Sequence, residues 1–366
     1  MFDISFWKGR KVLITGHTGF KGSWLASILL DAGALVSGYS LFPPTKPNLF
    51  GLLKLAKNMY SIQGDVRDLD KLKKVFFEAG PDIVFHLAAQ PLVRESYRNP
   101  VNTYDTNIMG TVNILECTRL YGKVRSFVNV TTDKVYENDE SNRVYKENDR
   151  LCGHDPYSNS KSCSELVTYS YVHSFFNNDD STAISTARSG NVIGGGDFSP
   201  DRIIPDCVRA AQKHEDIVVR NPHSIRPYQH VLECLSGYLL LAQKQYENKE
   251  KYEGSYNFGP DTRDCVTTAT LVDLFCKQWG EGQKWKNLND NGPYEASFLR
   301  LDSTKAKSLL NWETTWNIKK ALNMTGDWYK ALANGQEIEK LTQMQFRAFL
   351  SAFKEVKRNK AHLEVG

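Results

Sequence analysis

Residues Lys11–Gly22 read KVLITGHTGFKG. A run of β-forming apolar residues ends directly in glycines at 16, 19 and 22, and a helical pattern starts at the second of them. Few folds use such a junction. Gly16 permits a tight turn, Gly19 lets the backbone approach a ligand, and Gly22 lets the helix pack close to the sheet. The free N–H groups and dipole at the helix start favour an anion, and the pyrophosphate of a dinucleotide meets that requirement. The segment predicts the opening strand–turn–helix of a Rossmann-type domain.

The first half of the chain keeps the same rhythm. Strands are expected at Lys11–Thr15, Ala34–Tyr39, Met59–Gln63, Ile83–Leu87, Ser126–Thr131 and Thr182–Arg188. Helices are expected at Gly19–Asp31, Leu69–Glu78, Pro100–Leu120 and Tyr157–Phe176. Alternation of this kind implies α/β architecture, a doubly wound parallel sheet covered on both faces. After Gly190 the pattern loosens. Helices near Ile203–Ala211, Val231–Tyr246, Thr267–Trp279 and Ile338–Lys357 are interspersed with short strands near Ile217–Val219 and Phe298–Leu301. A chain of 366 residues exceeds one ordinary core. The expected division is a dinucleotide-binding domain over 1–190 and a smaller α/β substrate lobe over 191–366, with some later segments returning to the first.

Charge and cysteine usage exclude several classes. The net charge is +4 with lysines and arginines scattered, so no nucleic-acid arm is expected. The 7 cysteines contain no Cys-x-x-Cys pair and the 8 histidines no His-Glu-x-x-His, so neither a disulfide framework nor a metal site is expected. Met1–Arg10 lacks the apolar core of a signal peptide, and the apolar stretch Gly22–Leu41 is broken by Asp31 and glycines. The expectation is a cytoplasmic protein without a membrane segment.

Other residues extend the cofactor site. Gly16, His17, Thr18, Gly19, Phe20 and Gly22 form the loop, and Leu87, Ala88 and Ala89 end the fourth strand with side chains small enough for a dinucleotide to cross. Asp65, next to Val66, accepts a bond from an adenine amino group or is a plain loop carboxylate. The second strand runs into Ser37-Gly38-Tyr39-Ser40-Leu41-Phe42, without the Asp or Glu that usually holds a ribose. NAD and NADP are not separated by that test.

Tyr157 and Lys161 stand four residues apart in Tyr-Ser-Asn-Ser-Lys, on one face of a helix. A cation near the phenol is expected to lower its pKa and make Tyr157 a base for an alcohol proton. Thr131-Thr132-Asp133-Lys134 closes the fifth strand.

Together, Thr15-Gly-x-x-Gly-x-x-Gly22, Leu87-Ala-Ala89, Tyr157-x-x-x-Lys161 and Arg188-x-x-Asn191 resemble the extended short-chain dehydrogenases/reductases that act on nucleotide sugars. Thr132-Asp133-Lys134 with Gly16-His-Thr-Gly-Phe-Lys-Gly22 is similar to the branch that dehydrates CDP-glucose. That resemblance implies NAD as cofactor, CDP-glucose as substrate and a 4-keto-6-deoxy sugar as product, serving deoxysugar synthesis for surface polysaccharide such as O-antigen. It implies that Tyr157 takes the C4 hydroxyl proton, Thr132 bonds the C4 oxygen and Asp133 is the acid at C6. Lys134 stands where relatives carry a glutamate base. It either removes the C5 proton with a lowered pKa or stabilises the enolate.

Arg94, Asn191, Arg202, Arg226 and Arg300 are candidates for binding the sugar nucleotide. The resemblance also implies a homodimer or higher homo-oligomer, with Pro100–Leu120 and Tyr157–Phe176 at the seam. Two other readings stay open. A 4-epimerase, or a dehydratase for another nucleotide sugar, would use the same scaffold, although an epimerase has no need of Asp133 and Lys134. A non-catalytic dinucleotide-binding protein has no need of the Tyr157/Lys161 pair.

Overall fold

Seven parallel strands form the central sheet of the computed structural model, which describes residues 3–141, 143–288 and 298–365. In chain order they are β1 (Lys11–Thr15), β2 (Leu35–Ser40), β3 (Tyr60–Gln63), β4 (Ile83–His86), β5 (Ser126–Val130), β6 (Ala183–Ser189) and β7 (Gly254–Phe258). Their order across the sheet is β7-β6-β5-β4-β1-β2-β3. The order reverses between β1 and β4, and a crevice opens there beyond the strand ends. Every residue of β4, β5 and β6 is buried, as expected for a sheet covered on both faces.

The helices have local causes. α1 (Phe20–Asp31) starts from Gly19 in extended conformation. α2 (Leu69–Ala79) is capped by Asp68, whose carboxylate accepts from the Lys71 amide at 3.0 Å, and ends at Gly80 with φ +54°. α3 (Gly110–Tyr121) is preceded by the helical turn Pro100–Tyr104 and a wide π-turn at Asp105–Met109. The single helix expected over Pro100–Leu120 is therefore interrupted. α4 (Pro156–Phe175) opens with proline at its first position and Asp155 accepting from the Ser158 amide at 3.0 Å.

The second half contributes to both lobes. α6 (Val231–Glu247) packs on β5 and β6, and β7 extends the sheet, so these segments belong to the first layer. The remaining elements after Gly190 include α5 (Ile203–Gln212), α7 (Thr268–Trp279) and α8 (Ile318–Ala333), with Ile217–Val219 paired to Trp285–Asn287 and Ile225–Arg226 to Val266–Thr267. α9 (Ile338–Val365) lies against α8 and α1. Buried tryptophans tie distant segments together: Trp24 Nε1 donates to the Gly195 carbonyl at 2.9 Å, across the two halves of the chain, and Trp312 Nε1 to Ser236 Oγ at 3.1 Å.

Phe298–Leu301 is not the strand its composition suggests. Phe298 and Leu301 make only isolated bridges, to Ile225 and Tyr145. Each neighbouring segment offers one pairing position, so no ladder forms. No helix among the described residues is long and apolar enough to cross a membrane.

Candidate active site

A cleft of about 750 Å³ runs along the C-terminal ends of β1, β4, β5 and β6 and on to α5 and the segment 218–228. Gly16, Thr18, Gly19, Phe20 and Gly22 form its floor, with Asp65, Val66, Leu87, Ala88 and Ala89 alongside. The glycines are required by space. A Cβ on Gly16, where φ is +76°, would lie 2.7 Å from the Ala88 nitrogen, and one on Gly22 would lie 2.2 Å from the Gly16 oxygen. The backbone cradle at the start of α1 thus suits a dinucleotide pyrophosphate.

The His17 side chain departs from the expected cofactor role. Its ring is buried away from the cleft, Nε2 pairs with Ser61 Oγ at 2.8 Å, and Gly38 makes room for it. Burial lowers its pKa to about 4, so the ring is a neutral packing group. Asp65 lines the cleft but is held by Arg67, with contacts of 2.6 and 3.0 Å. The end of β2 offers Ser40, whose Oγ lies 2.9 Å from Thr18 Oγ1, in place of a carboxylate.

Tyr157, Lys161, Thr132 and Lys134 share the opposite wall. Lys161 is buried and its Nζ donates to the Val130 carbonyl at 3.1 Å. Burial, with the nearby Lys21 cation, pulls its pKa down to about 8. Tyr157 does not show the expected lowering. Burial dominates and pushes its phenol up to about 12, partly offset by a bond with Thr132. Lys161 Nζ is bonded to the Val130 carbonyl, and among the described residues no hydrogen bond joins it to the phenol.

Asp133 is fully buried just behind Thr132 and Lys134. Its Oδ1 accepts from Thr132 Oγ1 at 3.0 Å and from Lys134 Nζ at 3.3 Å. Its Oδ2 is buried, has no hydrogen-bond partner among the described residues, and faces Gly190, where a Cβ would come within 3.0 Å. The segment is held from below by a buried ion pair. Arg188 Nε and Nη2 each meet an oxygen of Glu165 at 2.8 Å, and Thr131 Oγ1 donates to the same carboxylate at 2.5 Å.

Lys21 was not marked by sequence. Its Nζ lies on the cleft wall, donating to Ser189 Oγ at 2.8 Å and Tyr238 OH at 3.4 Å. Among the described residues no carboxylate pairs with it, and burial lowers its pKa. The only local signal was its place between Phe20 and Gly22.

Of the substrate candidates, Arg94, Asn191, Arg202 and Arg226 line the cleft. Asn191 Oδ1 is buried and unpartnered, and Arg202 is tied to Asp197 at 2.8 Å. Arg300 is not on the cleft wall: its guanidinium lies over the Phe298 ring, 4.6 Å from the centroid. No metal-binding cluster of His, Cys, Asp or Glu occurs among the described residues.

Comparison with known proteins agrees with this geometry. The chain is 44% identical over 356 residues to a CDP-glucose 4,6-dehydratase of Salmonella typhimurium, covering 96% of this chain and 99% of that one. It is 25% identical over 346 residues to a UDP-glucose 4-epimerase of Oryza sativa, covering 88% and 90%. Among solved structures, a dTDP-glucose 4,6-dehydratase double mutant of Streptomyces venezuelae superposes with a TM-score of 0.76 at 21% identity, covering 89% of this chain and 98% of that one. A family model described as GDP-mannose 4,6 dehydratase matches residues 13–325, and the chain belongs to that family.

Proposed function

We propose that the protein dehydrates CDP-D-glucose to CDP-4-dehydro-6-deoxy-D-glucose, with NAD as resident cofactor. The observation that carries this reading is one wall on which Tyr157, Lys161, Thr132 and Lys134 meet, with Asp133 directly behind. The 44% identity to a CDP-glucose 4,6-dehydratase over nearly the whole chain supports the base assignment. A 4-epimerase on the same fold needs the first pair only.

Gly16, Thr18, Gly19, Phe20 and Gly22 would hold the cofactor pyrophosphate, with Val66, Leu87, Ala88 and Ala89 along its length. When bound, the nicotinamide supplies a hydride acceptor that later returns the hydride, and a positive charge in the same cleft. Tyr157, its phenolate favoured by that charge and by the Lys161 cation, receives the C4 hydroxyl proton as C4 is oxidised, and Thr132 bonds the C4 oxygen. The 4-keto group acidifies C5–H. Lys134 stands at the wall to take that proton or to stabilise the enolate, and Lys21 adds a second cation that favours negative charge on the sugar. Asp133 donates the proton with which the C6 hydroxyl leaves as water. Hydride at C6 and a proton at C5 complete the product, and the cofactor ends as it began. Asn191, Arg202 and Arg226 would meet the diphosphate, a reading supported by their position on the cleft wall.

The protein is read as a cytoplasmic homodimer supplying deoxysugar synthesis for surface polysaccharide. Exposed Leu166 and Tyr169 on α4, and Val101 and Leu120 on the neighbouring helical segments, support a seam there. Incubation with NAD+ and CDP-glucose, dTDP-glucose, UDP-glucose or GDP-mannose tests the activity. Loss of one water from CDP-glucose, without net cofactor reduction, is expected. Inversion at C4 without mass change would replace the dehydratase by an epimerase.

A further inference from the structure

The glycine loop and the catalytic wall occupy one arm of the cleft. A second arm runs between the loop before α5 and the strand Ile217–Val219, lined by Pro200, Asp201, Val218, Arg220 and Asn221. It carries chemistry that the reaction at the sugar does not use. Arg220 Nη2 lies 2.8 Å from Asp201 Oδ1, and both side chains are partly open to the cleft. Among the described residues, no other hydrogen bond engages the second oxygen of Asp201 or the remaining nitrogens of Arg220. An acceptor and a donor therefore stand side by side. Next to them Val218 presents an apolar surface that is 41% exposed. Asp201 holds this place with φ +59°, a left-handed conformation that an aspartate tolerates. Its neighbour Arg202 turns the other way, to Asp197 at 2.8 Å.

We propose that Asp201 and Arg220 read the base of the substrate nucleotide and select cytosine. The inference rests on the nucleotide-sugar reading above. In a nucleotide sugar the base lies across the diphosphate from the sugar. With the sugar at Thr132 and Tyr157 and the diphosphate at Asn191 and Arg226, the second arm receives the base. Cytosine carries an exocyclic amino donor next to the N3 and O2 acceptors. A carboxylate accepts from the amino group while a guanidinium donates to its neighbours. Uracil and thymine place a carbonyl oxygen where cytosine has the amino group. That oxygen would face the Asp201 carboxylate with no proton between them, and a buried polar group left unpaired is costly. Val218 supplies the flat apolar contact for the ring face.

The test is calorimetric titration of the full-length, NAD+-loaded protein with CDP and with UDP, for wild type, Asp201→Asn and Arg220→Gln. Wild type should prefer CDP. In Asp201→Asn the carboxamide can offer an N–H to a carbonyl oxygen, so the preference should narrow by roughly tenfold or more, through weaker CDP and stronger UDP binding. Arg220→Gln should weaken CDP more than UDP. A CDP-selective wild type whose Asp201→Asn variant keeps the same ratio, or loses both ligands equally, overturns this inference alone. A wild type indifferent to the base overturns the cytosine assignment and this inference together. If Asp201→Asn does not bind NAD+, and so is misfolded, Arg220→Gln decides by the same ratio.

Discussion

Lys134 Nζ lies 3.3 Å from one carboxylate oxygen of Asp133, while the other oxygen of Asp133 is buried with no hydrogen-bond partner among the described residues. One side chain is thus both a counter-ion and a candidate proton carrier, and the two functions separate by substitution. Asp133→Asn keeps the shape but removes the acid. Its turnover should fall by about 10²–10⁴-fold, with C4 oxidation preserved and reduced cofactor accumulating on mixing with CDP-glucose. Stopped-flow absorbance reads both. A variant that neither reduces the cofactor nor turns over would place Asp133 in the first step instead.

Lys161 sets the pH dependence. Burial and the nearby Lys21 bring its pKa from 10.5 down to about 8. If its cation is required, kcat/KM falls as pH rises through about 8 in the free enzyme. Lys161→Arg, charged at all accessible pH, should lose that descending limb even if its absolute rate is low. The same shift affects stability. The folded state binds the Lys161 proton less tightly than the unfolded state, so holding it charged costs roughly 3 kcal/mol below pH 8. That penalty declines as pH rises from about 8 towards 10.5. Lys161→Met should therefore be more stable than wild type at pH 7, with the gain disappearing near pH 10.5. Urea unfolding at the two pH values checks the sign.

Lys21 is half-buried, and among the described residues its hydrogen-bond partners are Ser189 and Tyr238. Lys21→Met removes a costly cation and should raise the melting temperature while lowering kcat about 10²-fold. Retained kcat would reduce Lys21 to a packing residue.

The Arg188–Glu165 pair tests the support beneath the site. Arg188→Met leaves the Glu165 carboxylate buried and unpaired, and should destabilise the protein by about 3–5 kcal/mol. The double variant with Glu165→Met should recover much of that loss. Equal destabilisation by the single and double changes, measured by denaturant unfolding, would count against it.

Much of this architecture was legible from local composition. β5 and β6 are buried along their length and β1 from Val12 on, so runs such as Lys11–Thr15 carry their own label. The glycine loop was legible because a crowded turn leaves no room for a Cβ. Lys21 was not, because its meaning comes from Ser189 and Tyr238, 168 and 217 positions away. His17 misled for a related reason: its place in the loop suggests a ligand contact, but Gly38 opens a pocket behind the strand that takes its ring. The pKa of Tyr157 required knowing that desolvation outweighs a cation directed elsewhere. Arg300 sat in an expected strand that the bridges at Phe298 and Leu301 do not extend.

The central claim is that one cleft oxidises C4, eliminates water across C5 and C6, and returns the same hydride to C6. CDP-glucose deuterated at C4, incubated with catalytic enzyme and NAD+, tests it most directly. The account predicts a product lacking one water, with the deuterium at C6 by NMR and no net cofactor reduction. Deuterium retained at C4, or lost to solvent, would contradict it.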